Sequence, residues 1–255
     1  MPRFRLSSLL RPGRKESAKP AVDLGAIDRY WREANGGDPY LSLYQRARTL
    51  SGSNDNVFKQ NRFFTLWQMV KRVLAEQMPG DIAECGCWKG HSTAMVAETL
   101  QAGGWDKDFW VLDSFEGGLS DKVAADRTVR GDTTPERTLE QKLSFASRLE
   151  EVAAVLQPYP FVSLHKGWIP AVFDSVPALA DRRFSLVHVD VDLYEPTRDS
   201  LAFFGPRMHE GGLIVIDDYG SANFPGCRVA VDEHMAKHKP RFFLESHLMG
   251  AVLVV

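Results

Sequence analysis

Two short apolar runs organise the chain. Phe184, Leu186, Val187 and Val189 lead into Asp190, and Leu213, Ile214, Val215 and Ile216 lead into Asp217 and Asp218. Both runs are short and rich in β-branched residues, the pattern of strands buried on both faces of a sheet. Between them residues 195–208 have helical composition, and Gly211-Gly212 is expected to end that helix. Strand, helix, strand at this spacing predicts a βαβ crossover with parallel strands. Parallel neighbours end on one edge of a sheet. Asp190, Asp217 and Asp218 are therefore predicted to converge beyond the carboxyl ends of the strands, where open α/β sheets bind ligands.

The periodicity extends in both directions. Residues 27–35 and 40–50 read as helices separated by Gly36-Gly37-Asp38-Pro39, and 51–55 as a loop. Residues 58–77 form a long amphipathic pattern, with Phe64, Trp67, Met69, Val70, Val73 and Leu74 as its apolar side. Residues 81–85 read as the first sheet strand and 91–102 as the helix after it. Residues 109–112 read as the second strand, ending on Asp113, and 161–165 as the third. The polar stretch 119–136 is long for a connection in a compact domain and suits a lid or substrate loop. Residues 137–156 and 229–237 read as helices; 241–245 and 248–255 read as a closing antiparallel hairpin at the sheet edge. The fold class is α/β and Rossmann-like, and the expected organisation is a basic mobile arm (1–22), a helical extension (23–56) and a catalytic domain (57–255).

Bulk properties narrow the function. At 44% hydrophobic and 25% charged residues the chain can bury a substantial core, and a net charge of -2 carries no basic field for nucleic acid. The basic start (Arg3, Arg5, Arg11, Arg14, Lys15, Lys19) reads as a disordered or interface-forming arm, and no apolar run approaches membrane-spanning length. Cys85, Cys87 and Cys227 give neither a disulfide framework nor zinc spacing, which fits a cytoplasmic protein with reduced thiols.

The candidate chemistry lies at the strand ends. Three carboxylates that converge repel one another unless a cation joins them, and a hard divalent ion with oxygen ligands, Mg²⁺ above all, fits best. After the first strand the pattern is G-x-x-x-G, so the dinucleotide fingerprint is absent. Asp113 ends the second strand, 29 positions beyond Glu84, where a carboxylate suits vicinal ribose hydroxyls; a helix cap or a solvated turn explains it equally.

Several separated motifs then agree: E-C-G-C-W-K-G, L-D-S-F-E-G, H-K-G-W, D-V-D-L-Y-E-P-T, G-G-L-I-V-I-D-D-Y-G and C-R-V-A-V-D-E. In this order they resemble the macrocin O-methyltransferase family over roughly residues 54–233. The resemblance implies a class I methyltransferase fold, with a seven-stranded, mostly parallel sheet and an antiparallel last strand. It implies S-adenosyl-L-methionine and Mg²⁺ as cofactors and a sugar hydroxyl, of a small molecule or a glycan, as acceptor. By motif, Glu84 and Gly86 border the methionine part, Asp113 holds the ribose, and Ser114, Gly167 and Trp168 lie near the adenosine. Asp190, Asp217 and Asp218 hold the metal. Asp190 stands 27 positions before Asp217, which matches the family spacing and makes it the ligand in place of Asp192. Asp190 is also the implied general base, and a homo-oligomer is the implied assembly. His188 is expected as a satisfied core histidine, and His91 as a cap or an exposed residue. Tyr219 fits a pocket wall and a structural aromatic equally. A nicotinamide-dependent oxidoreductase, a metal-dependent phosphoesterase and a non-catalytic assembly protein are the competing classes.

Overall fold

The structure, a computed structural model, describes residues 39–128 and 134–255. The expected basic arm, the helix at 27–35 and residues 129–133 of the polar loop lie outside the described residues. Residues 39–255 form one compact unit. It begins with α1 (Pro39–Ser51) and α2 (Val57–Ala75), followed by β1 (Asp81–Cys85), α3 (His91–Ala102) and β2 (Phe109–Asp113). Next come α4 (Pro135–Ser144), α5 (Leu149–Leu156), β3 (Val162–Lys166), α6 (Ala171–Ser175) and β4 (Phe184–Val189). The chain closes with α7 (Tyr194–Phe204), β5 (Met208–Ile216), α8 (Pro225–Lys237), β6 (Phe242–Glu245) and β7 (Ala251–Val254).

Seven strands form one sheet in the order β3-β2-β1-β4-β5-β7-β6. β1 to β5 run parallel; β7 pairs antiparallel with β5, and β6 antiparallel with β7 at the edge. The strand order reverses between β1 and β4, so a crevice opens beyond Cys85 and Val189. Alternate strand residues feed two cores. Ile82, Val111, Leu186 and Leu213 face α1, α2, α3 and α5; Ala83, Leu112, Val187 and Ile214 face α6, α7 and α8. This two-sided burial is why the central strands read as nearly continuous apolar runs.

Three expectations are corrected in detail. The buried stripe of α2 is Lys59, Phe63, Leu66, Val70 and Val73, whereas Phe64, Trp67, Met69 and Leu74 only flank the core. The expected helix at 137–156 is two helices, because Phe145 leaves the helical path to pack 6.4 Å from Trp88 and 5.8 Å from Phe224, measured between ring centroids. Gly211-Gly212 lies within β5 instead of ending a helix; the Gly211 N–H donates to Val255 O at 2.7 Å and the Val255 N–H to Gly212 O at 3.0 Å. In the polar loop, the fully buried Asp126 carboxylate accepts the Tyr194 N–H at 2.7 Å and the Val123 N–H at 3.1 Å, which pins the described part of that loop to the start of α7.

Candidate active site

The turn after β1 is built for close approach. Gly86 has φ +81°, and its N–H donates to Leu112 O at 2.8 Å. A Cβ at this position would stand 1.9 Å from Asp190 O, so only glycine fits between the ends of β1 and β4. The Asp190 N–H completes the stitch by donating to Cys85 O at 2.8 Å. Asp113 Oδ2 accepts the N–H of Cys87 at 2.8 Å and of Trp88 at 3.0 Å, while Oδ1 accepts the Phe115 N–H at 2.9 Å. The acid at the end of β2 thus folds the glycine turn against its own strand. Gly86→Ala is expected to cost at least about 3 kcal/mol, since the added methyl meets main chain that has no room to shift. Denaturant melts check it, and wild-type stability in the variant refutes the packing argument.

Two clefts meet over this turn. The first, about 590 Å³ of open space, is lined by Gly86, Asp113, Ser114, Gly167 and Trp168 among others. The second, about 1580 Å³, is lined by Lys59, Arg62, Asp218, Asn54, Asn223 and Phe224 among others. Trp88, Phe145, Asp190 and Asp192 belong to both linings, so two aromatics and two acids frame the passage between the clefts. Trp168 is held at the rim of the first cleft, its Nε1–H donating to Glu116 Oε1 at 3.2 Å.

The acids behind that passage fall into two sets. Glu84, fully buried, accepts from the Thr93 hydroxyl and bonds His188 Nδ1 at 2.8 Å. His188 Nε2 lies 3.7 Å from Asp217 Oδ1, and Arg62 Nε lies 2.6 Å from Asp217 Oδ2. Glu84, His188, Asp217 and Arg62 thereby form a row of alternating charge. Burial works against the His188 imidazolium, but Asp217 and Glu84 overcome it and raise the group to about 10. Burial likewise disfavours the Asp217 carboxylate, yet Arg62 and then His188 outweigh it and hold the group at about 2. Neither Glu84 nor Asp217 is among the lining residues of the two clefts.

Asp190, Asp192 and Asp218 form the second set. Their carboxylates come within 4.8 Å of one another, and no ion pair among the described residues includes any of the three. Burial first, then the neighbouring acids, pushes Asp190 and Asp192 well above the carboxylate range; burial and Asp217 push Asp218 up to about 7. His188, Asp190 and Asp217 make a second grouping of possible ligand atoms within the same distance. Asp190 is common to both groupings; of the expected metal trio, Asp217 joins one and Asp218 the other. A cluster of buried and half-buried oxygen donors with surplus negative charge is the donor chemistry that a hard divalent cation fits.

Sequence reasoning missed Lys59 and Arg62, and it set Asp192 aside in favour of Asp190. A helical phase starting at Lys59 would have found the first two, since a charged pair at the head of an apolar stripe is unusual. His91 is corrected as well. It is buried at 2% exposure, its Nδ1 3.2 Å from Ser53 Oγ and its Nε2 3.0 Å from Tyr44 O, so it ties α1 and the following loop to α3. Burial pulls its pKa down from 6.5 to about 4. A histidine depressed in this way adds stability that is complete above pH 6.5 and is lost as pH falls through about 4. Wild type is expected to lose about 3 kcal/mol across that window through this group, and His91→Gln to lose less. Identical acid limbs in urea melts of the two proteins refute it. Tyr219 takes the structural alternative: it is buried, and its hydroxyl donates to Asp232 Oδ1 at 2.8 Å.

Comparison with known proteins fixes the lineage. The family model of macrocin O-methyltransferase (TylF) matches residues 52–245. The chain belongs to this family. It is 34% identical over 182 residues to 8-demethyl-8-(2,3-dimethoxy-α-L-rhamnosyl)-tetracenomycin-C 4'-O-methyltransferase of Streptomyces olivaceus, covering 69% of this chain and 66% of the relative. It is 31% identical over the same length to demethyldecarbamoylnovobiocin O-methyltransferase of Streptomyces niveus, with the same coverage. Each match therefore spans just under two thirds of the relative. Among solved structures, the O-methyltransferase NovP superposes with a TM-score of 0.66 at 26% identity, over 85% of this chain and 99% of that one. The family's sheet, with its antiparallel last strand, is the sheet found here. Among the described residues no helix is long and apolar enough to cross a membrane.

Proposed function

We propose that this protein is an S-adenosyl-L-methionine-dependent O-methyltransferase acting, with Mg²⁺, on a hydroxyl of a sugar in a natural product or glycan. The observation that carries this reading is the meeting of two clefts at Asp190, framed by Trp88 and Phe145. Family membership and the names of the relatives support it.

In this reading the first cleft takes the cofactor, which supplies a methyl group on a sulfonium centre. Gly86 gives the methionine part room at the strand ends. The Asp113 carboxylate and Ser114 lie where ribose hydroxyls are read, and Gly167 and Trp168 border the adenine. Glu84 serves from beneath by fixing His188. The second cleft takes the acceptor. Asp190 is the residue that accepts its proton, because it is open to both clefts and belongs to both groupings of possible metal ligands, whereas Asp192 belongs to one. Trp88 and Phe145 keep water from the passage, where alignment of two bound partners supplies much of the acceleration.

Asp190, Asp217 and Asp218 are the proposed metal ligands, with Asp192, set aside on spacing, as a competitor grouped with Asp190 and Asp218. A divalent ion there would stabilise negative charge developing on an acceptor oxygen. Asp192→Asn is expected to keep Mg²⁺ affinity within about threefold, and Asp218→Asn to lose at least tenfold, by the roughly 1.4 kcal/mol per decade of a lost ligand. The reverse order in calorimetry moves the ligand role to Asp192. The reading as a whole is tested by titrating S-adenosylhomocysteine and NAD(H) into the protein. Binding of the first alone is expected, and failure to bind it overturns the proposal.

A further inference from the structure

Among the described residues Lys59 is the one lysine in the lining of the second cleft, and it is buried at 8% exposure at the head of the apolar face of α2. Burying an ammonium is costly unless it is paired. Its partners are all neutral: Ser53 Oγ at 3.0 Å, Asn54 O at 3.3 Å and Asn54 Oδ1. No described carboxylate comes within ion-pair distance, and the ammonium sits 4.8 Å from the centroid of Trp88, the ring shared by both clefts. One turn along, Arg62 lends Nε to Asp217, and its Nη1 lies 3.9 Å from Met249 Sδ. Two cations thus line a cleft that Asp190, Asp192 and Asp218 also line.

We propose that Lys59 is the core of an oxyanion subsite in the acceptor cleft, and that the acceptor carries a phosphate or carboxylate group beside the hydroxyl that is methylated. The proposal rests on the methyltransferase reading and adds the substrate class. Neutral oxygens hold the ammonium in place without cancelling its charge. The 3.3 Å contact to Asn54 O is the longest of the three, and it is the one that an incoming oxyanion replaces with a charge-assisted bond. Asn54, Asn56 and Asn223 border the same space, and each carries a side-chain amide able to donate. Burial draws Lys59 down to about 8, which leaves it protonated at neutral pH.

The test uses the full chain saturated with S-adenosylhomocysteine and Mg²⁺, titrated with inorganic phosphate and, separately, with acetate. One of the two anions is expected to bind wild type, which separates the phosphate source from the carboxylate source. Lys59→Met should weaken that binding at least about tenfold, the scale of a charge-assisted hydrogen bond, and Lys59→Arg should restore most of it. Equal affinity in wild type and Lys59→Met, or no binding of either anion by wild type, overturns the proposal. S-adenosylhomocysteine affinity in each variant reports whether the site is folded. Should Lys59→Met not fold, the ¹⁵N resonance of the Lys59 ammonium in wild type, assigned by its loss in Lys59→Arg, must move on anion addition, and a stationary resonance refutes the subsite. Failure here leaves the methyltransferase reading intact, because cofactor binding and transfer are measured without either anion.

Discussion

Asp190→Asn is expected to lower methyl transfer roughly 10³-fold or more, the upper range for loss of a positioned general base, while S-adenosylhomocysteine affinity stays within a few fold. The substitution keeps the shape of the side chain and leaves the backbone stitch from Asp190 N–H to Cys85 O in place. It removes the one carboxylate that borders both clefts and belongs to both groupings of possible metal ligands. Proton acceptance and cation binding are therefore lost together, whereas the first cleft keeps its glycine turn and Asp113. Calorimetry and a transfer assay separate the two functions. Near-normal turnover, or loss of cofactor binding in step with turnover, sinks the role assigned to Asp190.

The sheet and its acidic edge were legible in the sequence because both depend on local patterns. Runs of β-branched residues marked β4 and β5, and a helix-length crossover forced them parallel, which brought Asp190 and Asp218 to one end. Gly86, Asp113, Ser114, Gly167 and Trp168 were legible by motif, and all five line the first cleft. What stayed hidden depends on contacts distant in sequence. The bond between Glu84 and His188 spans 104 positions, and nothing local to either residue announces it. Lys59 and Arg62 were hidden for a different reason. Counting only apolar residues along α2 shifts the buried face by one position, onto Phe64 and Trp67, because the true stripe starts with a lysine. Local hydrophobicity cannot distinguish a charge aimed at a site from one aimed at water. His91 was misplaced on the same ground: its partners, Ser53 and the Tyr44 carbonyl, come from another part of the chain.

Arg62→Ala is expected to destabilise the protein by about 3–5 kcal/mol at neutral pH, the cost of leaving a buried carboxylate without its partner. Arg62 is 14% exposed and Asp217 2%, so water does little to replace the lost charge. The pH dependence separates this from simple loss of packing. Asp217 has its folded-state pKa lowered from 3.8 to about 2. Such a group contributes stability that is present above the unfolded value and disappears as pH falls through the folded value. Without Arg62 the Asp217 pKa rises, and by pH 3 its carboxyl is largely protonated in the variant and no longer needs a counter-charge. The stability gap between wild type and variant should therefore be widest near pH 7 and narrow towards pH 3, as read from urea melts at both values. The same charge argument predicts a response to cations. Removing Arg62 adds one uncompensated negative charge beside Asp190 and Asp218, so Mg²⁺ should raise the melting temperature of Arg62→Ala by more than that of wild type. A gap that does not change with pH assigns Arg62 to packing alone, and a smaller Mg²⁺ response in the variant shows that Asp217 depends on its arginine to face the cation.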